Sequence, residues 1–105
     1  MVQERLLSDV LSDLKLAKKN GALYVSAVET SEDLVRIYIE NGEITDVRYG
    51  SASGNDCLDI LEYYNFHSAT FFEGIKSPNA ADRDLPKTDL IIDQIRKLNK
   101  MIKVR

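Results

Sequence analysis

A hairpin signal in the middle of the chain constrains the fold more than any other feature. Two β-rich runs, Leu34–Glu40 and Glu43–Tyr49, flank the dipeptide Asn41-Gly42, and this arrangement is the strongest short-range indication of a β-hairpin. A slip of one residue in the pairing of two strands would turn the apolar side chains toward water. The register of this hairpin therefore decides which residues can face a core.

Two registers are compatible with the sequence. A two-residue loop sets Glu40 opposite Glu43 and puts Asp46 on the same face as Ile37, which mixes charge into the apolar side. A G1-bulge hairpin has Gly42 in the left-handed region and pairs Ile39/Glu43, Tyr38/Ile44, Ile37/Thr45, Arg36/Asp46 and Val35/Val47. We predict the bulged register, because it collects on one face the residues Val35, Ile37, Ile39, Thr45 and Val47.

A helix and a strand are predicted before the hairpin. Apolar residues recur at helical spacing from Leu7 to Leu14, and Asn20-Gly21 supplies a left-handed stop. The first helix should therefore run from about Val2 to Lys19. A strand over Ala22–Val28 follows it, which makes the hairpin part of a three-stranded meander.

Two helices and a strand are predicted after the hairpin. The middle helix presents one apolar face, formed by Cys57, Ile60, Leu61 and Tyr64. Phe71 and Phe72 mark a fourth strand, and Thr88 is placed to cap a last helix. The apolar stripe of that helix comprises Ile91, Ile95, Leu98 and Ile102. We therefore predict an α+β fold with an antiparallel sheet of about four strands and packed helices, in the order α-β-β-β-α-β-α.

The composition is that of one globular domain covering residues 1–105. Of the 105 residues, 44% are hydrophobic and 30% are charged, and the net charge of -3 gives no general attraction to nucleic acid or anionic lipid. Met1–Leu14 contains acidic residues and no unbroken apolar run, so we expect neither a signal peptide nor a membrane span. A single cysteine agrees with a reducing compartment, and we expect a cytoplasmic protein.

The residues that commonly carry catalysis are sparse. His67 is the only histidine, and Cys57 lies ten residues before it on a core-facing helix position. We interpret Cys57 as a small buried hydrophobe and His67 as a loop residue. The sequence therefore predicts no enzyme, no catalytic or metal-binding residue, no cofactor and no small-molecule substrate.

Three further polar motifs have simple interpretations. Asp82 and Asp84 resemble the start of a calcium loop, but Pro86 and Lys87 replace a ligand and the required glycine. Gly50–Gly54 resembles an anion-binding turn, but it lacks the ending of a P-loop and fits a helix entry better. The chain ends in a basic tail, which comprises Arg96, Lys97, Lys100, Lys103 and Arg105. Such a tail could contact nucleic acid or membrane, but basic residues also stabilise the C-terminus of a helix.

The order of these motifs resembles a known family. An Asn-Gly turn at Asn41-Gly42, a strand, a Gly-led amphipathic helix from Gly50 to Tyr64 and a Phe-containing strand at Ala69–Glu73 follow one another. This run is similar to the core of the PATAN-type domain, named for the N-terminal domain of the cyanobacterial PatA regulator. The terminal helices extend the resemblance over most of the chain. It implies bacterial signal transduction through protein contacts, beside response regulators.

The expected function is that of a non-catalytic protein–protein interaction module, a stand-alone adaptor in bacterial signalling such as motility or pilus control. Its partner would be a response regulator, a motility component or a second copy of the chain. The terminal helices carry more aliphatic residues than one packing stripe needs, and the candidate partner surface comprises Leu6, Val10, Leu90 and Ile92. Alternatively, these helices pack on each other and on the sheet.

Two other functions stay open at this point. One is a roadblock-like protein that regulates small GTPases or acts as a scaffold, a class with two strands before the middle helix and three after it. The other is a nucleic-acid or membrane-surface binder that uses the basic tail. Neither nucleic acid nor membrane is the expected partner.

Overall fold

The chain forms one mixed sheet with helices packed against it. The computed structural model describes residues 3–29, 33–53, 55–77 and 85–104. The elements in chain order are β1 (Gln3–Leu6), α1 (Leu7–Leu16), β2 (Gly21–Ala27), β3 (Leu34–Glu40), β4 (Glu43–Tyr49), β5 (Ala52–Ser53), α2 (Asn55–Tyr63), β6 (Phe66–Glu73), α3 (Thr88–Leu98) and β7 (Met101–Val104).

The sheet confirms the α+β class and corrects the predicted topology. Seven strands within the described residues lie in the order β1-β7-β6-β2-β3-β4-β5, and β6 pairs with β7 in parallel. The prediction of about four antiparallel strands in the order α-β-β-β-α-β-α is therefore wrong. The additional strands β1, β5 and β7 have two to four residues each. Such short segments carry little periodicity, and they become strands because a neighbouring strand pairs with them.

Strand β1 also shortens the predicted first helix. Gln3–Leu6 pairs with β7, and the Leu7 N–H donates to the Lys100 carbonyl over 2.8 Å. The helix therefore spans Leu7–Leu16 instead of starting near Val2. Five strands precede α2 and two follow it among the described residues, an order unlike that of the roadblock-like class.

The hairpin uses the two-residue loop, so the predicted bulged-turn register is wrong. Glu40 lies opposite Glu43, and Asn41 and Gly42 have φ of 52° and 83°, as a type I′ turn requires. The left-handed conformation predicted for Gly42 is confirmed. The predicted pairs are replaced by Ile39/Ile44, Tyr38/Asp46, Ile37/Val47 and Arg36/Arg48.

The physical reason is a register shift inside the strand pair. The pairing steps from Ile39/Ile44 to Tyr38/Asp46, which leaves Thr45 without an opposite residue. The Thr45 hydroxyl donates to the Tyr38 carbonyl over 3.3 Å. This irregularity moves Asp46 off the apolar face, so the tight turn no longer places charge beside the core.

The side chain of Thr88 forms a hydrogen bond with the backbone of β4 in this hairpin. Its Oγ1 accepts the backbone N–H of Ile44 over 2.9 Å, whereas Lys87 occupies the N-cap position of α3 without a side-chain cap. The predicted capping role of Thr88 is therefore wrong. Helix α3 ends at Leu98, because Asn99 adopts a left-handed conformation, and Ile102 belongs to β7 instead of the helix.

The three helices within the described residues contribute to one core on one face of the sheet. Strand alternation directs Leu23, Val25, Ile37 and Val47 to this core face, and they form one buried cluster with residues from α1, α2 and α3. The largest fully buried apolar side chains are Leu7, Leu11, Leu23, Ile37, Leu61 and Ile102. Cys57 is also fully buried, as predicted.

The hairpin turn packs on the C-terminal end of α1. The Gly42 N–H donates to the Lys19 carbonyl over 2.9 Å, and the Asn41 N–H donates to Asn20 Oδ1 over 2.8 Å. A Cβ at Gly42 would lie 2.6 Å from the Lys15 carbonyl oxygen. The turn therefore needs glycine both for its φ and for this close approach.

Gly42→Ala should destabilise the protein more than Gly74→Ala. Both glycines have nearly the same φ, 83° and 82°, but a Cβ at Gly74 would meet no atom within 4 Å. Backbone strain alone costs about 1–2 kcal/mol, and overlap with packed backbone adds about 1–3 kcal/mol. Urea denaturation of both variants measures the difference, and equal losses would contradict the proposed contact with Lys15.

Two carboxylates bind loop backbone at the far end of the sheet. Glu29 accepts the backbone and side-chain N–H groups of Asn65 over 3.0 Å. Asp33 accepts the N–H of Leu34 over 2.7 Å and that of Gly50 over 2.9 Å. The hydrogen bond from the backbone N–H of Asn65 is the main cause that lowers the pKa of Glu29. The hydrogen bond from the backbone N–H of Leu34 is the main cause that lowers the pKa of Asp33.

The Glu29 contact should make stability depend on pH in acid. Its folded-state pKa lies below the ordinary value of 4.5, so the ionised carboxylate stabilises the fold at neutral pH. This stabilisation is lost as the pH falls through the folded-state pKa. We expect Glu29→Gln to unfold more easily than the parent at neutral pH and equally easily in strong acid. A constant difference between the two urea midpoints across this range would contradict the assignment.

Candidate protein-interaction surface

Cys57 and His67, the two side chains that the sequence singled out, lie in different surroundings. Cys57 is fully buried in the core, whereas His67 is exposed on β6; its predicted loop position is wrong. In the part of the chain that the structure describes, no three His, Cys, Asp or Glu side chains are grouped to hold a metal ion. Asp82 and Asp84 lie outside the described residues.

The described residues of the basic tail lie on different elements. Arg96 and Lys97 belong to α3, Lys100 lies between α3 and β7, and Lys103 belongs to β7. Arg96 is engaged within the molecule, because it pairs with Asp93 over 3.3 Å and donates to Ser12 Oγ over 3.1 Å. Arg105 lies outside the described residues. None of the described helices has the length and apolarity to cross a bilayer.

The four residues predicted as a partner surface do not share an exposed face. Val10 and Ile92 are buried, and Leu6 is half-buried on β1. Only Leu90 is substantially exposed, at 56%. The terminal helices instead pack on each other, which was the alternative interpretation of their apolar residues, and an ion pair between Lys15 and Asp89 joins them.

A different surface lies on the side of the sheet opposite the helices. Because side chains alternate along a strand, every second residue of the central strands points away from the core. We call this surface the open face. It comprises Ala22, Tyr24 and Ser26 of β2, Leu34, Arg36 and Tyr38 of β3, Asp46 and Arg48 of β4, and Ser68, Thr70 and Phe72 of β6.

The open face combines aromatic, aliphatic and hydroxyl side chains. The rings of Tyr24 and Phe72 meet edge to face with centroids 5.1 Å apart. Phe72 is 43% exposed and Leu34 is 38% exposed. Ser26, which lies opposite Leu34, forms a hydrogen bond of 3.1 Å with Ser68 through their hydroxyl oxygens. The burial of such apolar and aromatic side chains against another protein is favourable.

The charged side chains of the open face are paired within the molecule, including Arg36, which lies opposite Tyr24 near the middle of this face. Arg36 Nη2 lies 3.0 Å from Asp33 Oδ1, and this hydrogen bond raises the pKa of Arg36. Arg48 Nε lies 2.8 Å from Oδ2 of the fully buried Asp46. Ser77 Oγ also donates to that oxygen over 2.9 Å. Residues 75–77 therefore cover one end of the open face, where Tyr38 is buried.

Sequence reasoning missed this surface because it depends on a pairing between distant segments. The alternation within β2 and β6 could have shown that Tyr24 and Phe72 each point away from the apolar residues. Their contact, however, follows from the pairing of Ala22 with Phe72, and no hairpin signal connects these two strands. The predicted Phe71-Phe72 strand is present, with Phe71 directed to the core face.

Comparisons of the chain with family models, with curated proteins and with solved structures found no match. The resemblance to PATAN-type domains therefore stays a prediction from the sequence. The surfaces of the fold are the remaining basis for a functional assignment, and the open face brings the exposed Leu34 and Phe72 together with the ring of Tyr24.

Proposed function

We propose that this chain is a non-catalytic protein–protein interaction module. The observation that carries the proposal is the open face, which exposes Leu34 and holds the Tyr24–Phe72 pair. Aromatic residues are enriched and unpaired charges are depleted at the centres of protein interfaces. The open face has both properties, because its arginines are already paired with Asp33 and Asp46.

The shape of the open face favours a protein partner over a small molecule. A sheet face is broad and shallow, whereas small-molecule sites are concave and enclose most of their ligand. Another sheet or a helix can pack on such a face at a distance of about 10 Å. The ring pair of Tyr24 and Phe72 would then lie near the centre of the contact.

The predicted PATAN-type resemblance supplies the biological context of the proposal. In that context the chain acts as a stand-alone adaptor in bacterial signal transduction, such as motility or pilus control. Its partner is a response regulator or a motility component, and a second copy of the chain is an alternative partner. No observation on the described residues favours the roadblock-like or the nucleic-acid alternative over this function.

Phe72→Lys should abolish partner binding, whereas Leu90→Lys should not. Both replace an exposed apolar residue by lysine, but Phe72 lies on the open face and Leu90 lies on the helical side. Immobilised parent and variants are incubated with a lysate of the native cell, and bound proteins are identified and then titrated individually. A central aromatic residue contributes about 2 kcal/mol or more, so Phe72→Lys should weaken affinity at least about thirtyfold.

The pattern of losses distinguishes the possible results. Loss of the same partner with Phe72→Lys alone, at unchanged thermal stability, would support the open face. Loss with Leu90→Lys alone would place the interface on the helices and contradict the assignment. Sedimentation of the parent and of Phe72→Lys over a concentration range tests whether the partner is a second copy.

A further inference from the structure

A groove separates helices α2 and α3 on the side of the sheet opposite the open face. It has a volume of about 470 Å³ and is lined by Leu58, Asp59, Leu61, Glu62, Ile91, Gln94, Ile95, Lys97 and Leu98. The groove exists because α3 is joined to α1, through the Lys15–Asp89 ion pair and the Arg96–Ser12 hydrogen bond. Both of these links hold the far side of α3.

The floor of the groove is apolar and only partly filled. Leu61, Ile91 and Ile95 are buried beneath it. Leu58 is half-buried, and Leu98 is 39% exposed at one end. Apolar side chains at both walls therefore remain available to a partner, and their burial would be favourable.

The two rims of the groove carry opposite charge. Asp59 and Glu62 lie three residues apart on α2, so their exposed carboxylates follow one another along its rim. Gln94 and Lys97 have the same spacing along α3, and Lys97 is exposed. One long wall is therefore acidic, while the facing wall is neutral to basic.

We propose that this groove docks an amphipathic helix of a partner protein. The helix places apolar residues at positions i, i+3 or i+4, and i+7 on the groove floor. Its flank beside α2 carries Lys or Arg opposite Asp59 and Glu62, and its flank beside α3 carries Asp or Glu opposite Lys97. Charged walls that run along the groove match an elongated partner with two differently charged flanks better than a compact ligand.

The groove also limits the length of the docked segment. Its lining on α3 runs from Ile91 to Leu98, which corresponds to about 10 Å at 1.5 Å per residue. A docked helix of about two turns fills this length. This site is distinct from the open face, so a failure of one assignment does not imply a failure of the other.

The test uses two fluorescent helical peptides and the full chain. Both peptides have the same leucine stripe; the basic peptide carries lysines on its two flanks, and the acidic peptide carries glutamates at the same positions. Fluorescence anisotropy measures the affinity of each peptide for the parent, for Leu98→Gln and for the double variant Asp59→Lys and Glu62→Lys. Phe72→Lys is the control, because it changes only the open face.

We expect the parent to prefer the basic peptide, because the groove is lined by two carboxylates and one lysine, and the double variant to prefer the acidic one. An exposed ion pair is worth up to about fivefold in affinity, so the reversal of two charges should shift the preference by on the order of tenfold. Leu98→Gln should weaken both peptides, and Phe72→Lys should weaken neither. Absence of saturable binding, equal binding of both peptides, or competition by self-association of the chain would overturn the proposal.

Discussion

The placement of all three helices on one face of the sheet is the constraint on which the rest of the structure depends. The apolar residues of β2, β3 and β4 then have one direction in which to be buried, and Leu23, Ile37 and Val47 meet the helices there. The opposite face keeps its aromatic, hydroxyl and paired charged side chains, and no described helix covers it. The core and the proposed interaction surface are thus two consequences of the same one-sided layering.

The hairpin shows how much of this fold could be predicted from the sequence. Asn41-Gly42 indicated the turn, and Gly42 has the expected left-handed conformation. The register was not predictable, because Thr45 is an ordinary strand residue and nothing local marks it as the point where the pairing shifts. Cys57 followed its helical period and is buried. The short strands β1 and β7 exist only through their pairing with other strands, so local patterns could not show them.

The interaction surfaces were less predictable than the fold, for a related reason. Helical periodicity marks which residues are apolar, but it does not tell which neighbour covers them. Val10 and Ile92 are covered because α1 and α3 lie side by side, and only Leu90 of the four predicted residues is left largely exposed. The open face and the groove between α2 and α3 both arise from contacts between elements that are distant in sequence.

Thiol labelling measures whether the open face is exposed to solvent. The parent contains one cysteine, the fully buried Cys57, which serves as the slow reference. Thr70→Cys adds a thiol in the middle of the open face, beside Tyr24. We expect this variant to gain one rapidly labelled thiol while its circular dichroism spectrum stays that of the parent. Labelling of residue 70 as slow as that of Cys57 would mean that the face is covered and cannot be the interaction surface.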